Sequence, residues 1–261
     1  LARPQVLGIV NVTADSFSDG GKFLDASRAI EHALRLRTEG ADFVDVGGES
    51  TRPGATPVPV EEELRRVMPV VEALVKEGVA VSVDTMKPEV MRAAIAAGCA
   101  AVNDVNGFRA AGAVEAVAGA DVGLIVMHMK GVPAEMQKEP RYDDVVAEVS
   151  SFLAARAAAL EAAGVAAHRI ALDPGFGFGK TVAHNKALFH ALPALAATGY
   201  PIVAGVSRKK MIGDFTGRPA AERAAGSVAA ALLAVQNGAS LVRVHDVRET
   251  VDAINVWMEL K

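Results

Sequence analysis

The sequence holds one cysteine among 261 residues, and that scarcity excludes two whole classes of protein. Cys99 has no partner for an intrachain disulfide, and a metal centre built from thiolates is ruled out, so the chain suits a reducing cytosol. As a lone thiol it is expected to be a small buried hydrophobe. No apolar run is long enough to span a bilayer, and the N-terminus lacks the basic-then-apolar pattern of a secretion signal. The sequence opens on Leu1 rather than Met, as it would after trimming of a short leader or tag. A basic excess is missing too: the net charge is −4 and the two signs are interspersed, which argues against a nucleic-acid groove or a membrane-surface patch and leaves small molecules as the expected partners. There is no linker and no low-complexity stretch, so residues 1–261 read as one domain.

One motif is matched in part and is also lacking. The stretch from Asp173 to Thr181 has three glycines followed by Lys-Thr and resembles a nucleotide phosphate loop. That loop requires four residues between its first glycine and Gly-Lys-Thr, whereas only Phe176, Gly177 and Phe178 separate Gly175 from Gly179. The dinucleotide fingerprint fails as well, because Lys180 stands where its third glycine belongs.

What the sequence does have is a recurring unit: a short β-branched apolar run, a loop, an amphipathic helical segment, then a glycine. Val6–Val10 is followed by a helix from about Asp25, with Ala26, Ala29, Ile30, Ala33 and Leu34 at helical spacing and Gly40 at the C-cap position. Residues 43–47 precede a helix from Glu61 to Lys76, whose three leading glutamates suit a helix N-terminus. Runs at 79–84, 101–104, 123–127, 170–173, 202–205 and 241–244 complete about eight units. Continuous apolar strands imply burial on both faces, and eight strand-helix units in this length predict a single-domain (β/α)8 barrel of the TIM type, with a doubly wound open sheet as the rival.

The unusual polar residues lie just past the strands: Asn11, Asp45, Asp84, Asn103 with Asp104, Met127 with His128, Asp173, Ser207-Arg208-Lys209, and Arg243 with His245. A carboxylate there often does no more than cap the next helix. In a barrel, however, all of these positions surround one mouth, where several carboxylates and amides can bind a heterocycle rich in N–H groups. Lys209, Arg243 and His245 follow the seventh and eighth strands, a common place for phosphate, and Arg52 on the second loop could close over the same anion. His128 is expected to make a structural hydrogen bond, Glu49 to pair with a neighbour, and Lys180 to be exposed. His32, His168, His184 and His190 are expected to be solvated or to cap helices.

Residues 11–21 (NVTADSFSDGG) and 45–54 (DVGGESTRPG), with Ser82–Pro88, Asp173–Lys180, Gly205–Lys210 and Arg243–Asp246, resemble the motifs of the dihydropteroate synthase family, in order and along the whole chain. Ala14 departs from the proline usual in that family's first loop and removes no functional group. The resemblance implies a transferase of folate biosynthesis: p-aminobenzoate displaces pyrophosphate from 6-hydroxymethyl-7,8-dihydropterin diphosphate, giving 7,8-dihydropteroate. It implies a pterin site of Asp84, Asn103, Met127, Asp173, Phe178, Gly205, Lys209 and Arg243. Diphosphate falls to Asn11, Arg52, Arg243 and His245, with Asn11 also contacting Mg²⁺. The aminobenzoate site, where sulfonamides compete, falls to Phe17, Thr51, Arg52, Pro53, Phe178, Ser207 and Lys209. Asp84, Lys209, Arg243, His245 and Arg52 are the implied catalytic set. A cytoplasmic homodimer, paired through its last helices, is the implied assembly. A pterin-dependent methyltransferase or a non-catalytic pterin-binding paralogue would share the barrel, but the methyltransferase would not need Ser207-Arg208-Lys209 and Arg52.

Overall fold

In the computed structural model, residues 3–12, 22–51, 54–131 and 135–261 are described. Eight parallel strands alternate with helices: β1 (Gln5–Asn11), α1 (Lys22–Thr38), β2 (Phe43–Gly47), α2 (Val60–Lys76), β3 (Val81–Asp84), α3 (Pro88–Ala96), β4 (Ala101–Asp104), α4 (Ala113–Ala118), β5 (Gly123–Met127), α5 (Val145–Ala162) and β6 (Ile170–Asp173). The order continues α6 (Val182–His190), α7 (Leu192–Ala196), β7 (Val203–Ala204), α8 (Lys210–Thr216), α9 (Ala224–Gln236), β8 (Leu241–Val244) and α10 (Val247–Leu260). The strands pair in the order β6-β5-β4-β3-β2-β1-β8-β7, and a parallel bridge between Leu172 and Ile202 brings β6 to β7, making a TIM barrel. The rival open sheet is excluded by that contact.

One difference from the sequence expectation has a simple cause, and one pairing adds to what the sequence showed. The seventh strand is only two residues long, because Pro201 supplies no backbone N–H before it and Gly205 ends it. Glu63, one of the three glutamates that open α2, is fully buried and paired with Lys87.

Side chains alternate along each strand, and here the alternation separates two environments. The outward residues Val6, Val10, Val44, Val46, Val81, Val83, Val102, Leu124, Val126, Leu172, Val242 and Val244 form the main core with the helices. Each such side chain contributes roughly 1.5–3 kcal/mol by leaving water. Inward, Leu7, Ile125 and Val203 pack with Phe43, Ala171 and Leu241 as an apolar plug near the N-terminal end of the barrel. Two residues further along the strands, the same inward positions hold Ile9, Asp45, Asp84, Asn103, Met127, Asp173, Gly205 and Arg243. The interior therefore changes from hydrocarbon to polar groups within one step of the pleat, and it does so at the strands' C-terminal ends, where barrels of this type build their sites.

Candidate active site

The polar layer is knit together across the barrel. Arg243 donates from Nε to Asp45 Oδ2 at 2.6 Å and from Nη2 to Asp84 Oδ2 at 2.9 Å, so one guanidinium joins β8 to β2 and β3. Asp45 also accepts from Ser82 Oγ at 2.6 Å and from Asn103 Nδ2 at 3.1 Å. Asp45 is thus the hub of the layer, a role that its place at a strand end did not announce. Asp84 keeps one oxygen off the guanidinium. Burial, opposed mainly by the charge of Arg243 and reinforced by Asp45, pushes its carboxyl up to about 7.

On the opposite wall, Asp173 is raised above the usual carboxylate range, by burial first, with Lys209 opposing. Its Oδ1 accepts from the Gly175 N–H at 2.7 Å. A Cβ on Gly205 would lie 3.7 Å from Asp173 Oδ2 and 3.9 Å from Lys209 Nζ, so the bare glycine leaves that corner open. Lys209 is drawn down to about 8, again by burial, which Asp173 opposes. Its ammonium donates to Phe176 O and lies 4.4 Å from the centre of the Phe178 ring. Such displaced values gathered at one mouth are typical of sites that handle charge. Met127 packs with Val105, Met129 and Met136, and Met86 and Phe178 close on the same cluster, giving the site an apolar, polarizable wall.

The remaining implied residues that are described end or follow β1, β2, β7 and β8. His245 and Ser207 meet, with His245 Nδ1 3.1 Å from Ser207 Oγ and the His245 N–H donating to the same oxygen. Asn11 ends β1 with its side chain exposed, and Thr51 is half-buried on the loop after β2. Phe17, Arg52 and Pro53 lie outside the described residues. Arg208, between Ser207 and Lys209, has a left-handed backbone, φ 56°, held by its N–H to Ser227 Oγ at 2.8 Å and by its guanidinium to Asp246. That clamp turns its two neighbours toward the mouth.

Other polar residues resolve into support. Asp104 accepts from the N–H groups of Asn106 and Phe108, both at 2.7 Å, so it shapes its own loop. Glu49 and Glu63 both accept from the Lys87 ammonium, and Glu49 also receives the Val58 N–H at 3.3 Å. His184 completes a capping box with Thr181 at the start of α6. His128 is buried, with its ring held at about 3 by burial and by the charge of Lys180. Lys180 itself overturns the expectation of exposure: it is 3% exposed, and its Nζ lies 2.9 Å from His128 Nδ1. A lysine just beyond a glycine turn reads as solvated, because nothing in a single sequence reveals the carbonyls that will surround it.

A family model described as pterin binding enzyme matches residues 7–245. The dihydropteroate synthase of Neisseria meningitidis serogroup C is 53% identical, the match covering 100% of this chain and 94% of that protein. Among solved structures, Xanthomonas albilineans dihydropteroate synthase with 4-aminobenzoic acid superposes with a TM-score of 0.94 at 57% identity, covering 99% of this chain and 93% of that one. The Xanthomonas albilineans enzyme in complex with 7,8-dihydropteroate superposes at 0.90 with 54% identity, covering 99% and 94%.

Proposed function

Because the chain belongs to the pterin-binding enzyme family and acts as a dihydropteroate synthase, we propose that its polar layer holds the pterin diphosphate while p-aminobenzoate attacks the methylene carbon. The C–O bond to diphosphate breaks with its electron pair leaving on pyrophosphate, the amine nitrogen forms the new C–N bond, and the amine gives up a proton. The electron-rich dihydropterin ring shares the positive charge that develops as pyrophosphate departs. A carboxylate fixed in a water-poor site stabilises that charge without having to reorganise. Asp84 is the group placed for this, and its being held by Arg243 with one oxygen left to the ligand is the observation that carries the proposal.

Asp173 and Asn103 take the ring's N–H groups, Lys209 reaches the ring from the side, and Met127, Phe178 and the bare Gly205 give the flat ring its slot. Arg243 and His245 face the diphosphate. Thr51, Ser207, Phe178 and Lys209 wall the aminobenzoate site, where sulfonamides compete; the family resemblance assigns Arg52 to both subsites and Phe17 and Pro53 to the second.

Among the described residues no group of three or more His, Cys, Asp or Glu side chains is placed to hold a metal ion. The exposed Asn11 amide oxygen at the end of β1 fits Mg²⁺, which keeps several waters and leans on substrate phosphates. When bound, the ion supplies positive charge against the departing pyrophosphate.

Among the described residues no helix is long and apolar enough to cross a membrane. A cytoplasmic homodimer is the proposed working form; the buried free Cys99 supports the compartment. Phe215, Leu233, Val256 and Leu260, exposed on α8, α9 and α10, support pairing through the last helices. Light scattering showing only monomer at working concentration would remove the dimer. The function is tested by incubating the purified protein with Mg²⁺ and both substrates: dihydropteroate and pyrophosphate should form together, and absence of dihydropteroate would overturn the assignment.

A further inference from the structure

The turn from Asp173 to Lys180 carries Asp173 and Phe178 into the site and receives Lys209 on Phe176 O, yet three of its eight residues are glycine. Gly175, Gly177 and Gly179 all have positive φ, at 68°, 79° and 63°, conformations that glycine enters at no steric cost and leaves as easily. Such a segment holds one shape only if something outside it fixes its carbonyls. The Lys180 ammonium meets that need. It lies 2.9 Å from Gly175 O, 3.0 Å from Phe178 O and 2.9 Å from His128 Nδ1, with His128 O further off at 3.4 Å. An ammonium has three N–H groups and no acceptor, and three close acceptors surround it. The His128 ring, neutral by burial, offers Nδ1 as acceptor and is itself fixed edge-on to Phe152 at 4.9 Å.

We propose that Lys180 is a positioning residue for the reaction: its buried ammonium ties the turn after β6 to the end of β5 and so holds Asp173, Phe178 and, through Phe176 O, Lys209 in register with the pterin. The geometry agrees with a turn pressed hard on that strand end. A Cβ on Gly175 would fall 2.0 Å from His128 O, and one on Gly179 would fall 2.5 Å from Lys130 O. Tyr142 Oη adds a bond to Gly179 O at 2.9 Å, and Asn185 Oδ1 accepts the Gly177 N–H at 2.8 Å, but neither touches the carbonyls of Gly175 and Phe178 that Lys180 gathers. The acceptors around the Lys180 ammonium are all protein atoms of the turn and of His128, so its effect passes through the turn.

The inference rests on the dihydropteroate synthase reading, and its test separates the two. Wild-type turnover establishes the reading; steady-state kinetics of Lys180→Met, which keeps the chain's bulk and removes all three donors, test the inference. The KM for pterin diphosphate should rise at least about ten-fold, the size of one lost charge-assisted hydrogen bond, while the KM for p-aminobenzoate moves far less. A merely structural loss lowers the folded fraction, so apparent kcat would fall with both KM values unchanged, and that result would overturn the proposal. His128→Asn keeps an acceptor near Nδ1 and His128→Leu removes it. The first should stay within about two-fold of wild type and the second should raise the pterin KM, following the acceptor count at the ammonium. Equal behaviour of the two would also overturn it. If Lys180→Met does not fold, the His128 pair decides alone.

Discussion

Arg243 Nε and Asp45 Oδ2 meet at 2.6 Å between strands that are not neighbours, since β1 runs between β8 and β2. The fully buried carboxylate thereby fixes the angle of the guanidinium, leaving Nη2 for Asp84. One planar fork does two jobs at once.

Arg243→Lys should therefore lose more than it keeps. A lysine supplies a point charge on a flexible stem and cannot span two carboxylates at fixed angles. Breaking the pair leaves Asp45 buried and short of a partner, at a cost of about 3–5 kcal/mol. Chemical denaturation should show that loss, and turnover should fall as Asp84 loses its fixed direction. Unchanged stability would mean that Asp45 is held sufficiently by Ser82 and Asn103.

Asp84→Asn should leave the fold intact, because an amide oxygen still accepts from Arg243, yet cut kcat by about 10²–10³-fold, the usual effect of removing one fixed electrostatic partner of a transition state. Pyrophosphate release under saturating substrates measures it.

The pH dependence follows from the same group. With its carboxyl at about 7, Asp84 must lose a proton to work, so kcat/KM should rise as pH climbs through about 7; Lys209, at about 8, should lose its charge above that and bend the profile down. Lys180, drawn down to about 7 by burial, falls in the same window and narrows the bell. The apparent values belong to the interacting set rather than to single residues. For stability the sign is opposite to that of a salt-bridged carboxylate. The folded state holds the Asp84 proton where the unfolded chain has released it, so this group's contribution declines as pH rises from the ordinary carboxylate range to about 7 and is flat above. Rate profiles and denaturation midpoints across that range check both statements.

Gly175→Ala and Gly164→Ala form a matched pair. Both backbones have positive φ, at 68° and 93°, so each substitution pays about 1–2 kcal/mol for a left-handed alanine. Only Gly175 adds a collision, with His128 O at 2.0 Å, whereas nothing lies within 4 Å of a Cβ on Gly164. Thermal denaturation should show a clearly larger drop for Gly175→Ala, with a raised pterin KM that Gly164→Ala lacks.

Lys87→Met should destabilise by about 3–5 kcal/mol, because Glu63 is fully buried and its Oε1 already has no hydrogen-bond partner. Adding Glu63→Gln should recover part of the loss by removing the stranded charge. A melting series of the two single variants and the double reads the coupling directly.

The barrel was legible in the sequence because its signal is periodic: valine-rich runs at even intervals, helices ending in glycine, and polar residues past each strand. That Asp84, Asn103, Asp173, Lys209 and Arg243 gather at one end of the barrel was legible too. What could not be read was which groups bind each other. Asp45 and Arg243 are far apart in the chain, and only strand register makes one the anchor of the other. Lys180 was misjudged for a related reason, since a charged residue reads as solvated until its counter-groups are located in space. The ends of the seventh strand failed on a smaller point: Pro201 and Gly205 trim a run whose composition alone looked longer.

The step from hydrocarbon to polar groups inside the barrel also works as a floor. Leu7, Ile125 and Val203 present hydrocarbon beneath the polar layer, so a flat, N–H-rich ring that sank deeper onto them would exchange hydrogen bonds for bare methyl groups. Insertion depth is thus set by where polarity stops rather than by steric closure alone. A single exchange at that boundary, such as Val203→Thr, would offer a hydroxyl one storey lower and let the ligand settle out of line with Asp84 and the diphosphate-facing residues.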